Sequence, residues 1–340
     1  IDLLKLKEAE ISLREAIRLN PDFAEAHNNL SNILLRLHNF KEGWNEYEWR
    51  FKANNSYSRI MLKTTKPRWR DHSDCTLLLW REQGLGDEIL FSSLIPDLLD
   101  KVNSLILKVD KRLIPLFQRT FTNKIRLISK ENHIDETEYD YHLPMGSLAK
   151  YLRKTMKSFE DSKKLKFVVN KERSKQFRGR LEKKKDYKYI GISWKKNTNK
   201  YPERSITLEK LLTSIHSPNI IFVNLQYGDV NEEINNIMLN FDMEIININE
   251  LDIFNDIDGV AALISACDEV VTIANFTGTL AGALGIKTKV ILATNCYWPD
   301  GLTDTQSYWF PSINYYRQIK KNDWDDPLNE IRNELMIKNE

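Results

Sequence analysis

Leu77-Leu78-Leu79-Trp80-Arg81-Glu82-Gln83-Gly84-Leu85-Gly86-Asp87-Glu88-Ile89-Leu90-Phe91 is the stretch that decides the fold. Its apolar start, 77–80, reads as a buried strand, and 88–95 has the spacing of an amphipathic helix. Between them, Gly84 and Gly86 let the backbone turn sharply and approach a ligand closely. Open α/β sheets bind ligands on such loops at the carboxyl ends of their strands. Gln83, Gly84 and Gly86 are therefore candidate site residues. Asp87, delivered at the helix entry, reads either as a reacting base or as a helix N-cap. Ile89 stands where a dinucleotide fingerprint needs its third glycine, and the Walker lysine pattern is absent, so a dinucleotide-dependent dehydrogenase is disfavoured.

On the N-terminal side, residues 57–75 are polar and irregular and read as a linker. Residues 1–56 read as helices only: Leu3, Leu6, Ala9, Leu13, Ala16 and Ile17 recur at helical spacing up to Asn20-Pro21, and further helices fit 24–37 and 41–51. Ala9 matches Gly43 and Leu13 matches Tyr47 at an offset of 34 residues, the period of tetratricopeptide repeats. Trp44, Tyr47 and Trp49 read as packing residues rather than ligand platforms. So short an array buries little by itself and is expected to dock on the domain that follows. Because Ile1 already lies inside a helical pattern, the sequence reads as a piece of something longer.

On the C-terminal side, strands at 105–109, 125–128 and 139–143 complete a first α/β domain over 76–170, with 84–99 its clearest helix. A lysine-rich passage, 154–188, separates a second domain over 186–320. Its strands are expected at 189–194, 220–226, 244–248, 269–273 and 289–293, and its helices at 207–215, 230–239, 258–266 and 277–284. A final helix near 324–336, within 321–340, is expected to lean back across both halves. Two successive alternations predict two doubly wound domains with a binding cleft between them.

Two loops of the second domain carry chemistry. Ser193-Trp194-Lys195-Lys196-Asn197, followed by Arg204-Ser205, sets three cations and several donors past a strand end. That suits a diphosphate, or is a solvated basic loop. Ala274-Asn275-Phe276-Thr277-Gly278-Thr279 turns a strand end into a helix of small residues, either an anion site built from free N–H groups or a close-packed structural helix.

Composition narrows the classes. The 340 residues allow two or three domains, and a net charge of +2 from 50 basic and 48 acidic residues provides no global field for nucleic acid or an anionic membrane. Lys183-Lys184-Lys185 reads as a solvated face. Cys75, Cys267 and Cys296 are far apart without a CxxC, which argues for a reducing, cytoplasmic compartment over a disulfide framework or zinc cluster. No apolar run of about 18 residues and no signal peptide pattern occur. His27, His38, His72, His133, His142 and His216 show no metal-ligand spacing, so no metal site is predicted.

Taken in this order, the loops resemble those of bacterial tetratricopeptide-repeat (TPR) proteins with a C-terminal domain similar to the ADP-heptose heptosyltransferases, a glycosyltransferase family 9-like domain. The matching pieces are Gly43-Trp44-Asn45-Glu46-Tyr47-Glu48-Trp49-Arg50-Phe51, the 82–87 loop, Gly191-Ile192-Ser193-Trp194, Arg204-Ser205-Ile206, Asn224-Leu225-Gln226 and Leu280-Ala281-Gly282-Ala283-Leu284-Gly285. The resemblance implies an α/β fold, a GT-B-like pair of doubly wound Rossmann-like domains preceded by an all-α TPR segment. It implies an inverting, metal-independent transfer of sugar from a nucleotide-diphosphate donor, a substrate rather than a cofactor, to a hydroxyl. Asp87 takes the position of the proposed general base. Lys195, Lys196 and Arg204 would offset leaving-group charge, and the helix entered through Thr277, Gly278 and Thr279 would cap the phosphate. Trp194, Asn197, Gln226 and Asn275 are further substrate-site candidates. The repeat helices would recruit a protein or glycan acceptor, or another protein. The similar enzymes usually carry an Asp-Thr pair and then a His before the Leu-Ala-Gly run, where this chain has Ala274-Asn275 and Thr279. A second reading is thus a catalytically degenerate GT-B domain serving as a TPR scaffold or binding protein.

Overall fold

The computed structural model describes residues 3–53, 61–182, 184, 186–196, 201–241 and 243–336. The chain forms two compact units, Ile1–Leu165 with Tyr297–Thr303, and Lys166–Cys296 with Asp304–Glu340.

The first unit opens with α1 (Leu3–Leu19), α2 (Ala24–Arg36) and α3 (Phe40–Tyr47), which ends in a 3-10 turn, Glu48–Phe51. Ala26, Leu30 and Leu34 recur every four residues, so α2 buries one stripe, and Trp44 and Tyr47 of α3 are buried too. Gly43 allows the close approach of α3 to α2, since a Cβ there would lie 2.8 Å from Leu35 Cδ2.

The sheet part comprises β1 (Thr76–Trp80), α4 (Leu85–Ser92), α5 (Ile95–Leu98), β2 (Ser104–Val109), α6 (Ile114–Phe121), β3 (Arg126–Ser129), β4 (Tyr141–Pro144), α7 (Ala149–Leu152) and α8 (Lys157–Glu160). All four strands are parallel in the order β3-β2-β1-β4. Flanked on both sides, β1 buries Leu77, Leu78 and Leu79 completely, which is why its sequence is one apolar run. The single helix expected over 84–99 is two helices. Pro96, in the first turn of α5, has no N–H to bond back to the preceding turn. Ser92 and Ser93 hydroxyls donate to the Ile89 and Leu90 carbonyls just before the break.

The expected linker is in part a sheet edge. Trp69 N donates to His142 O at 2.9 Å, His142 N donates to Pro67 O at 3.2 Å, and Trp69 is fully buried. Tyr297–Thr303, expected in the second domain, completes the first unit. Its Trp298 is buried edge-on to Trp44 at 5.2 Å and beside Tyr47 and Phe91.

The second unit contains α9 (Lys171–Leu181), β5 (Lys188–Ser193), α10 (Leu208–Ile215), β6 (Ile220–Asn224), α11 (Asn231–Phe241), β7 (Ile245–Ile246), α12 (Ile257–Ala266), β8 (Glu269–Ile273), α13 (Phe276–Ala283), β9 (Thr288–Leu292), β10 (Ile313–Arg317) and α14 (Asp325–Met336). Its six parallel strands run β10-β9-β8-β5-β6-β7. Counted from β7 this is the 3-2-1-4-5-6 order of the Rossmann fold. α9 arises inside the lysine-rich passage and packs on α12, with Arg173 Nη2 2.6 Å from Asp256 Oδ2. α14 packs on α10, β9 and β10 within this unit. Lys183 and Lys185 lie outside the described residues. The three cysteines are buried, and none of them is in a disulfide. Among the described residues no helix is long and apolar enough to cross a membrane, and no group of three or more His, Cys, Asp or Glu is placed to hold a metal.

Candidate active site

Parallel sheets open a ligand crevice where the strand order reverses. In the first unit that point lies between β1 and β4, and in the second between β5 and β8. The candidate residues sit on the loops leaving β1, β5 and β8 or in the first turns of the helices that follow, and Gln226 sits on the loop after β6.

In the first unit the 82–87 loop is held by buried charge. Glu82, only 2% exposed, accepts at Oε1 from Arg50 Nη2 at 2.9 Å and from Gly146 N at 3.1 Å. Arg50 is fully buried and also donates to Ser147 Oγ at 2.9 Å, Tyr47 O at 2.9 Å and Glu48 Oε1 at 3.0 Å. Gln83 Nε2 donates to Tyr47 OH at 2.6 Å. Arg81 donates to the Gln83 carbonyl and to Glu88, whose other oxygen accepts Asp110 N at 2.9 Å. Burial pushes the Glu88 carboxyl up to about 7, against the pull of Arg81.

Gly84 is the N-cap of α4, and its N–H donates to Asp87 Oδ2 at 3.1 Å, so Asp87 supplies the back-bonding half of a capping box. Its surface is still partly accessible, yet it lies among enough protein atoms for desolvation to push it up to about 6. The Gly84 N–H opposes that rise and the Glu82 carboxylate adds to it. The cap and the tuned carboxyl are therefore the same group.

In the second unit the loop after β5 is organised by one amide. Gln226 Oε1 accepts from Ser193 Oγ at 3.0 Å, Trp194 N at 2.9 Å and Lys195 N at 2.9 Å. Asn275 Nδ2 donates to Ser193 Oγ at 2.8 Å, and its Oδ1 caps α13 by accepting Gly278 N at 3.2 Å. The structure thus brings Lys195, Gln226, Asn275 and Gly278 to the carboxyl ends of β5 and β8. Lys195 Nζ is 2.9 Å from Glu233 Oε2 in a half-exposed pair. Lys196 joins the loop through its backbone N–H to Ser205 Oγ at 3.2 Å.

The other candidates are placed differently. Trp194 is fully buried in the core with Ile190 and Ile192, so its ring is structural. Arg204 turns to Asn295, Nε to Oδ1 at 3.3 Å, with its guanidinium over Tyr201. Thr277 is buried, and Thr279 Oγ1 donates back to Asn275 O at 3.3 Å. Because Asn275 occupies the Gly278 amide, α13 keeps fewer open N–H groups than its sequence suggests. Asn197 lies outside the described residues. A polar cavity of about 320 Å³ beside Gln226 is lined by Asn224, Asn231, Asn247 and Asn249. Arg50, Gly146, Ser193 and Glu233 are supports that the sequence reading omits; only Ser193 and Arg50 lie inside quoted motifs.

No family model matches the chain. It is 30% identical over 358 residues to protein FlbA of Caulobacter vibrioides, an alignment covering 98% of this chain, which spans 59% of that relative's length. Among solved structures it superposes on the E. coli ADP-heptose LPS heptosyltransferase II with 13% identity and a TM-score of 0.55, covering 75% of this chain and 96% of the other. It likewise matches a glycosyl transferase family 9 structure from Veillonella parvula, with 10% identity and a TM-score of 0.54, over 78% and 96% of the two chains. At these identities the likeness is one of fold: a mixed α/β architecture of parallel sheets resembling the GT-B glycosyltransferases.

Proposed function

We propose that the chain is a glycosyltransferase that moves a sugar from a nucleotide-diphosphate donor to a hydroxyl acceptor, with inversion and without a metal. One observation carries this reading: a carboxylate tuned to about 6 sits at the first unit's switch point, while an amide- and lysine-bearing loop sits at the second's. The fold likeness to a heptosyltransferase supports it. Asp87 takes the acceptor hydroxyl proton as that oxygen attacks the anomeric carbon. The bond from that carbon to the diphosphate oxygen breaks, and the electron pair leaves on the phosphate. A base of this strength is deprotonated at neutral pH and still basic enough to help. Lys195, Lys196, Arg204 and the first amides of α13 offset the charge on the departing diphosphate. Lys195 must leave Glu233 to do so, and a half-exposed pair holds by only about 0–1 kcal/mol.

In this proposal the helices of the first unit are a tetratricopeptide-type extension that recruits a protein or glycan acceptor. The reaction belongs in the cytoplasm, where three cysteines without a disulfide are at home. A second reading, a degenerate transferase serving as a scaffold, is favoured by Ala274, Asn275 and Thr279. None supplies charge, and both polar side chains are turned to protein partners. A calorimetric or thermal-shift screen of nucleoside diphosphates and nucleotide sugars separates the two. Binding of a donor sustains the transferase, and no binding at millimolar concentration leaves the scaffold.

A further inference from the structure

The 82–87 loop is gripped from outside its own sheet. Arg50, in the turn after α3, spans Glu82 Oε1 and Ser147 Oγ with one guanidinium nitrogen, at 2.9 Å each. The rings of Tyr47 and Phe51 lie 4.3 and 4.1 Å from its guanidinium carbon. Glu48 ties in a second cation, Arg68 Nη2 at 2.8 Å, and accepts from Ser147 Oγ at 2.5 Å. Tyr47 OH takes Gln83 Nε2, and that amide fits only one way round, because a carbonyl oxygen in the place of Nε2 would face the Glu82 carboxylate 3.2 Å away.

Stability alone does not favour such an arrangement. Gln83 Oε1 and Arg50 Nε are buried with no protein partner among the described residues, which costs free energy. A buried ion pair is commonly matched or bettered by well-packed apolar residues. What the pair and the amide supply is direction, fixing the turn that aims Gly84 and Asp87. We propose that Tyr47 and Arg50 are positioning residues for the 82–87 loop, so that the helical segment is a working part of the reacting side and not only a recruiter. The chemistry of this proposal rests on the transferase reading; its positioning claim rests on the loop alone.

The test uses the full chain with Tyr47→Phe, which removes one hydroxyl, and Arg50→Gln, which removes the charge facing Glu82. Hydrogen exchange of peptides covering 82–89 and 145–147 is compared with the rest of the first unit. Hydrolysis of ADP-glucose, UDP-glucose and GDP-mannose serves as the donor probe. Tyr47→Phe should keep the unfolding midpoint while loop exchange rises at least about tenfold. With a probe that the wild type hydrolyses, kcat should fall about tenfold at unchanged KM. Arg50→Gln should also move the acid limb of hydrolysis to higher pH, because Glu82 is then unpaired beside Asp87. Unchanged loop exchange in folded Tyr47→Phe overturns the proposal, as does exchange that rises evenly across the unit. Should Arg50→Gln fail to fold, Tyr47→Phe decides. If the wild type hydrolyses no probe, that counts against the transferase reading, and loop exchange still decides the positioning.

Discussion

Arg50 Nη2 and Glu82 Oε1 meet at 2.9 Å with both side chains sealed from water, although 32 positions separate them in sequence. The contact joins the end of the helical segment to the first residues of the glycine loop. It makes that loop a rigid feature of the first unit, since Glu82 also takes the Gly146 amide from the loop after β4.

Breaking this pair should be expensive. Arg50→Met leaves Glu82 buried and unpaired, and the first unit should lose about 3–5 kcal/mol. Denaturant unfolding read on that unit's own transition measures it, because two units need not unfold in one step. Arg14→Ala, which removes an exposed contact with Glu42, should lose only about 0–1 kcal/mol. Equal losses would contradict the account.

Asp87 links stability to pH with a definite sign. Its carboxyl is raised from 3.8 to about 6, so the charged form is the disfavoured one in the fold. The stability tied to this group is present below the unfolded value and is lost as pH rises through about 6. About two units correspond to roughly 3 kcal/mol. Asp87→Asn keeps an oxygen for the Gly84 N–H and removes that penalty. The variant should be more stable than wild type by about 1–3 kcal/mol at pH 8, with the gap closing toward pH 4. Urea titrations at the two pH values check it, and a less stable variant at pH 8 would refute the assignment.

Much of this was legible in the chain, for physical reasons. β1 announces itself because a strand flanked on both sides is apolar throughout, and the glycines after it admit few other readings. Trp194 was open to a better one. Ile190, Ile192 and Trp194 alternate onto one core, so the strand period carried one step past β5 places the ring inside. β10 is an edge strand of mixed polarity, Ile313-Asn314-Tyr315-Tyr316-Arg317, held by its pairing with β9, and it carries little local signal. The Arg50–Glu82 contact and the burial of Trp298 in the first unit are long-range packing, which no local period encodes.

Glu233 should act as a brake on the donor side. Glu233→Gln releases Lys195 while its amide oxygen still accepts the Trp194 Nε1 proton, now at 3.2 Å. Affinity for ADP or UDP should rise about two- to fivefold at low salt, and the gain should vanish in high salt. Calorimetry at two ionic strengths measures it. Weaker binding in the variant would mean that Glu233 contacts the nucleotide itself.

Gly146 should tolerate no side chain. A Cβ there would lie 2.5 Å from Glu82 Oε1 and 2.9 Å from Gln83 Nε2, so these buried, hydrogen-bonded side chains must give way. Gly146→Ala should lower first-unit stability by about 1–3 kcal/mol. It should reduce turnover far more than nucleotide affinity, as steady-state rates beside calorimetry would show.

The most direct test is donor turnover by the wild-type chain and by Asp87→Ala, followed as nucleoside diphosphate released from any nucleotide sugar that the binding screen identifies. The account predicts release by the wild type, rising with pH through about 6. In Asp87→Ala it predicts a fall of at least about a hundredfold, with nucleotide affinity unchanged. Turnover that survives in Asp87→Ala, or a wild-type chain that binds a donor and never releases the diphosphate, would contradict it.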